Sequence, residues 1–441
     1  MFASIRNIFK IHELRQRILF TLGLLVVYRI GGHIPTPGVD INAIQQFNPG
    51  GLFNLYDLFV GGAFTKVTIF SLGIMPYISA SIIIQLLGAV VPFFQRLQKE
   101  GEEGRRKITQ YTRYGTVLIC AMQAMATAVF LAGQTNPSLL LEGMSRTSFI
   151  AITVLTFTSG TIFIMWLGER ITERGIGNGI SLIIFIGIIA RLPQAVMDEL
   201  QKFFPSLFGL TGAARGNIIK ELIIIGFMLF IIAAIVLVTR AQRKIPVQYA
   251  KRVIGRKTYG GTSTHIPLSV NTAGIIPIIF AQSIMFAPQT ILSFFPDSDF
   301  MIMVSTWLDP GHPFYMLLYA LLIVFFAYFY TAIVFNPVDL ADNMKKQGGF
   351  IPGIRPGQRT AEYIDRVLTR ITLPGAVFFA FIAILPNIMS NMADVQFYFG
   401  GTGLLIVVGV ALDTLQQIES HLLMRHYDGF MKKGRMKGRY S

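Results

Sequence analysis

Charge is what this sequence has least of. Of its 441 residues only 14% are Asp, Glu, Lys or Arg while 53% are hydrophobic, against roughly 25% and 45–50% in soluble globular chains. An ordinary soluble fold is thereby excluded. Cysteine is scarcer still: Cys120 stands alone inside an apolar run, so no internal disulfide can form and a packing role is expected. The six histidines, His12, His33, His265, His312, His421 and His426, share no ligand spacing with the cysteine or with carboxylates, which argues against a metal site. No GxxxxGK[ST] phosphate loop occurs, so nucleotide hydrolysis by this chain is not expected, and neither is a cofactor.

What the sequence has in abundance is apolar runs of the roughly 17 to 25 residues that cross a bilayer core. Ten are visible, at 18–34, 67–91, 114–133, 148–168, 179–197, 218–239, 268–292, 314–335, 371–390 and 402–421. An all-α polytopic membrane protein with both termini on one side is the expected class. The opening MFASIRNIFKIHELRQR is basic and amphipathic, and no small-residue cleavage pattern follows the first run. It reads as a retained first span rather than a removed leader. Net charge is +15, and 31 of the 38 Lys and Arg fall in residues 1–17, in the alternate loops 95–113, 169–176, 240–267 and 335–370, and in the tail 422–441. Such asymmetry marks the cytosolic side, which holds both termini. The basic excess is thus topological before it is nucleic-acid binding.

Two halves of five spans emerge from a short repeat. GIMPYI at 73–78 in the second run and GIIPII at 274–279 in the seventh both fit G-I-x-P-x-I. An odd number of spans per half requires the second half to be inserted upside down. Gly and Pro each disturb the helical hydrogen-bond ladder, and such breaks belong where a span lines a cavity or moves. Ile74, Ile78, Ile275 and Ile279 recur at i and i+4, forming a one-sided stripe that either lines a cavity or packs. Between the first two runs, Leu52 to Val60 is bracketed by Gly50, Gly51, Gly61 and Gly62. Nine helical residues rise only about 14 Å, so this piece lies at the outer interface or re-enters the protein on glycine hinges.

The expected organisation is a cytosolic segment 1–17, a first half 18–197 with a re-entrant element at 50–65, an external linker 198–217, a second half 218–421 and a cytosolic tail 422–441. The cytosolic loop 240–267 alternates β-branched and basic residues around Gly260 and Gly261, as in a protruding hairpin. Loop 336–370 carries KKQGGFIPGIRPGQRT, whose Gly and Pro force turns around Arg355. Both suit docking of a cytosolic partner. Arg29, Arg191, Lys220 and Glu221 sit toward span ends, and Asp413 is the one acid well inside a run, 402–421; no Lys, Glu or His lies near a span centre. Ion-coupled transporters need intramembrane ionisable groups, so a small-solute transporter is disfavoured. A purely structural scaffold leaves the broken spans unexplained. The remaining reading is a conduit driven from outside the chain.

Several stretches carry a more specific likeness: GIMPYISASIIIQLL (73–87), EGEEGRRKITQYTRYGT (100–116), WLGERITERGIGNGIS (166–181), STHIPLSVNTAGIIP (263–277), FNPVDLADNMKKQGGFIPGIRPGQRTAEYID (335–365) and FYFGGTGLLIVVGVALD (397–413). They closely resemble the SecY/Sec61-alpha family of channel subunits of the protein-secretion translocase, over almost the whole chain. The resemblance implies a ten-span protein of two inverted halves, not an enzyme, in the bacterial inner membrane. It implies a pore ring of Ile74, Ile78, Ile180, Ile184, Ile279 and Ile406; Ile275, nominated by the repeat alone, is not carried by it. It implies a plug containing Leu52, Phe53, Leu55, Leu58, Phe59, Val60, Gly61 and Gly62, and a lateral gate with Gln85 and Asn271 through which apolar segments reach lipid. Arg256, Lys257 and Arg355 match the docking surface for the motor ATPase SecA and the ribosome, whose RNA phosphate a basic loop would meet without sequence preference. SecE and SecG as small companions, and signal-sequence-bearing precursors as substrates, complete the implied partners.

Overall fold

The computed structural model describes residues 11–44, 47, 51–134, 139–141, 143–191, 193, 197, 218–249, 252–254, 257–259, 263–292, 299–393 and 401–433. Each of the ten apolar runs contains a helix. In chain order the principal helices are α1 (His12–Gly31), α2 (Gly51–Val60), α3 (Met75–Val90), α4 (Pro92–Lys99), α5 (Glu102–Gly133), α6 (Arg146–Arg174), α7 (Gly179–Ile189), α8 (Ile218–Arg240), α9 (Ile276–Leu292), α10 (Asp299–Trp307), α11 (Pro313–Val334), α12 (Pro337–Lys346), α13 (Gln358–Ala393) and α14 (Gly401–Lys433). Among the described residues, α5, α6, α11, α13 and α14 each contain enough apolar length to cross a bilayer unaided. α3 and α4 form a pair bent by 96° at Val91, where Pro92 starts the second piece.

Side-chain caps and prolines set several of these boundaries. Asn178 begins α7 by accepting from the backbone N–H groups of Ile180 and Ser181 at 3.1 and 3.3 Å, and Asn336 begins α12 in the same way with Pro337 following it. Each cap satisfies N–H groups that the helix leaves without a partner. The chain divides into two compact units, one of residues 1–198, 286–306 and 410–441, the other of 199–285 and 307–409.

In the first unit, α5 packs along both α3 and α6, around Val67, Cys120, Leu131, Phe149 and Phe157, all essentially inaccessible. Leu118 on α5 and Leu155 on α6 are by contrast exposed, as befits surfaces that face lipid rather than water. Between α5 and α6, Arg113 forks onto Glu169 at 2.9 and 2.8 Å.

In the second unit, α11 packs on α13, and the loops 240–267 and 336–370 form a body of their own. Strand β1 (Gln242–Tyr249) is central, flanked by β4 (Ser263–Ser269) and by β5 (Gly349–Phe350), both antiparallel to it. Ile245, Val247 and Leu268 from the ribbon meet Met344, Ile351 and Ile364 from the second loop and α13 in one buried cluster. The two loops are therefore a single packed body. The intervening β2 (Arg252–Ile254) and β3 (Lys257–Tyr259) pair so that Ile254 faces Lys257. β1 and β4 supply the two arms of the hairpin expected in this loop, with Gln248 facing Ser263. Gly260 and Gly261 lie outside the described residues.

Candidate functional site

The repeated hexapeptide is a repeated structure. In the second run the chain turns through residues 61–74 before α3 starts at Met75, and in the seventh it turns through 270–275 before α9 starts at Ile276. Gly73 and Gly274 both take positive φ, 54° and 64°, a conformation in which a Cβ would be strained. The isoleucine after each glycine supplies the first helical acceptor: Ile78 N–H donates to the Ile74 carbonyl at 3.2 Å, and Ile279 N–H to the Ile275 carbonyl at 3.3 Å. Two residues before each glycine a hydroxyl closes the preceding turn. Ser71 Oγ donates to the Thr68 carbonyl at 2.7 Å, and Thr272 Oγ1 to the Ser269 carbonyl at 2.8 Å. Sequence reasoning missed this hydroxyl, although SLGIMPYI and TAGIIPII display it.

Each break also leans on a glycine of another helix. A Cβ at Gly160 of α6 would overlap the Ile69 carbonyl oxygen, and one at Gly375 of α13 would lie 3.0 Å from the Val270 carbonyl oxygen. Ile69 and Val270 each stand four residues before the positive-φ glycine of their copy. In lipid, apolar burial contributes little to helix association, so this close approach of backbones is what packs the broken spans.

The expected ring residues are largely buried. Ile74, Ile78, Ile184 and Ile406 are at most 4% exposed, Ile279 is 5% exposed and Ile275 4%, whereas Ile180 is half-buried. Ile74, Ile78, Ile180 and Ile184 belong to the first unit, Ile279 and Ile406 to the second.

The short segment is a helix, α2, and its second half is buried from Tyr56 to Val60. Leu58, Phe59 and Val60 are 3–6% exposed, and Phe53 stacks on Phe64 and Phe130 at 5.2 and 4.8 Å. Nothing is described of the side chains of Leu52 and Leu55. After α2 the chain reverses through Gly61 and Gly62 at φ 74° and 86°, as bracketing glycines allow. This end of α2 is fastened from three sides. Tyr28 and Arg29 of α1 donate to the carbonyls of Val60 and Gly61, each at 3.3 Å. A Cβ on Gly187 of α7 would come within 2.5 Å of the Phe59 carbonyl oxygen.

The third fastening is ionic. Asp57 is completely buried; its Oδ1 accepts from the backbone N–H groups of Phe64 and Thr65 at 2.9 and 3.0 Å. Its Oδ2 accepts from Thr65 Oγ1 at 3.0 Å and pairs with Arg191, just beyond α7. Neither Asp57 nor Arg191 was singled out as a site residue from the sequence. The available signal was one acid inside the otherwise uncharged GGLFNLYDLFVGG, and one base at a span end.

Gln85 is half-buried on α3, where its amide donates to Ser81 Oγ at 3.0 Å. Asn271 sits in the turn before α9, its carbonyl accepting from Gly274 N–H at 3.4 Å. On the body built by the two loops Arg355 is exposed, while its carbonyl accepts from Thr360 Oγ1 at 2.9 Å. Gly353 and Gly357 on either side have φ of 82° and 102°, so the backbone presenting this guanidinium follows a fixed pair of turns. Lys257 lies in β3 with its side chain undescribed, and Arg256 lies outside the described residues.

The SecY family profile matches residues 68–415. Protein translocase subunit SecY of Escherichia coli K12 is 46% identical over 434 residues, covering 97% of this chain and 96% of that protein. The Streptomyces griseus protein of the same name is 48% identical over 453 residues, covering 98% and 100%. Among solved structures, a protein-conducting channel superposes with a TM-score of 0.66 at 20% identity, covering 96% of this chain and 94% of that one. Sec61 from a canine ribosome–channel complex of the endoplasmic reticulum superposes with a TM-score of 0.62 at 18% identity over the same shares. The duplicated helix break, the glycine-hinged α2 and this near full-length identity agree: the chain is a multi-pass membrane protein belonging to the SecY family.

Proposed function

We propose that this chain is the polypeptide-conducting subunit of a secretory translocase, a channel and not an enzyme, with Ile74, Ile78, Ile180, Ile184, Ile279 and Ile406 as its constriction. The observation that carries the reading is the duplicated break, which seats a buried isoleucine pair in the same way in each copy. Aliphatic side chains make no hydrogen bonds with a passenger and exert no sequence preference, and an apolar constriction dewets when empty. α2 with its glycine turn is the plug in this reading, and Gln85 and Asn271 belong to the lateral gate. Each half of five spans, 18–197 and 218–421, contributes one copy of the break.

The cytosolic body, with Arg256, Lys257 and Arg355, is the surface for the energy source, the SecA motor or the ribosome. A related Sec61 was solved in a ribosome–channel complex. SecE and SecG are its proposed companions, and signal-sequence-bearing precursors its substrates. The proposed location is the bacterial inner membrane with both termini in the cytosol; the placement of Lys and Arg supports that orientation.

Replacing Ile78 and Ile279 together by Ser should wet the constriction and raise ion conductance of the resting channel in planar bilayers. Wild-type conductance at equal channel number would sink the assignment.

A further inference from the structure

The mechanism just proposed uses α2 as a movable stopper but gives no reason for a charged residue at its buried core. Asp57 carries four partners on two oxygens, and three of these, Phe64 N–H, Thr65 N–H and Thr65 Oγ1, lie in the loop that follows α2 itself. These local bonds travel with the helix wherever it goes. The pair with Arg191 is different, because Arg191 belongs to the end of another span. Its guanidinium also lies against Gly62, 3.5 Å from where a Cβ would stand, and Arg29 approaches the neighbouring Gly61 from α1. Two cations thus meet the carboxyl end of α2, where helix carbonyls concentrate negative potential.

We infer that Asp57 and Arg191 are positioning residues that latch α2 in its closed seat, so that displacing the stopper requires separating a buried ion pair. The inference rests on the reading of α2 as the plug. Separating such a pair in a dry setting leaves an uncompensated buried charge, whereas water reaching the seat hydrates both groups. The latch therefore resists opening while the interior is dry and weakens once a passenger admits water. Apolar contacts alone, such as Phe53 on Phe64 and Phe130, do not discriminate in this way.

The test uses the full chain in membranes carrying its natural complex, with conductance and channel abundance measured on each sample. Arg191→Ala leaves the three local Asp57 bonds intact and should raise resting conductance per channel about tenfold or more, the scale of a partly hydrated buried pair. Arg191→Lys, which keeps the charge, should restore most of the seal. In an Asp57→Asn background, Arg191→Ala should add almost nothing, because the coupling is already gone. A merely structural pair would lower abundance and leave conductance per channel unchanged, which would overturn the latch. So would strictly additive effects of the two substitutions. A variant lacking residues 51–60 separates the two claims. If it leaks while Arg191→Ala does not, the latch alone is wrong; if it stays sealed, the plug reading is wrong and the latch with it.

Discussion

A missing Cβ decides how two backbones meet at Gly160 and Gly375. Gly160→Ala would drive a methyl into the Ile69 carbonyl oxygen, and since that neighbour is backbone it cannot rotate away. A cost of about 1–3 kcal/mol is expected from such overpacking. It should appear as a lowered unfolding midpoint of the detergent-solubilised protein, with Gly375→Ala milder because its contact is 3.0 Å. An unchanged midpoint for both would show that the breaks do not need this support. These glycines illustrate what a single sequence shows at the scale of one residue. The pattern G-I-x-P-x-I was legible because its members are six neighbours, and from it the isoleucines followed. Gly160 was not, because the atom it makes room for is 91 positions away and the chain has 42 glycines. Asp57 and Arg191 were hidden for the same reason: opposite charges 134 residues apart look like one acid in a short loop helix and one base at a span end until the fold brings them together.

Elements bring a second lesson, since hydropathy located all ten helical runs but misjudged where regular structure starts. The second and seventh runs begin as turns, and only residues from Met75 and Ile276 are helical. An apolar window cannot separate a turn from a helix when both are buried; the glycine at positive φ can. The cytosolic loops were read as two separate docking surfaces because β1 and β5 pair across about a hundred residues, and strand pairing of that range leaves no periodic signal. Their union has a mechanical consequence. Ile364 of α13 is fully buried in the shared cluster, so Ile364→Ala should cost about 2–5 kcal/mol. Limited proteolysis should then cut both loops together, with the membrane-embedded fragments intact. Cleavage confined to one loop would mean that the sheet does not couple them.

For the whole molecule, composition and apolar run length were enough to give the class and the span number before any contact was known, while the placement of Lys and Arg supplied a proposed orientation. What they could not supply was the energy source, for which the sequence offers no GxxxxGK[ST] phosphate loop. That question moves to the body built by the two loops, where Arg355 is exposed between two glycine-made turns. Its planar fork suits carboxylate or phosphate on a partner. Arg355→Glu should weaken docking about a hundredfold through like-charge juxtaposition, and abolish most ATP-driven import of a precursor into vesicles while closed-channel conductance stays normal. Normal import by a well-folded variant would exclude this residue from the contact. The lone sulfhydryl met at the outset has a practical consequence here. Cys120 is fully enclosed between α5 and α6, its Sγ 3.8 Å from the Phe157 carbonyl oxygen, and so is shielded from aqueous thiol reagents. The wild-type chain is already a silent background for site-directed labelling, in which one engineered thiol on α2 or beside Arg355 would report its own exposure as a polypeptide passes.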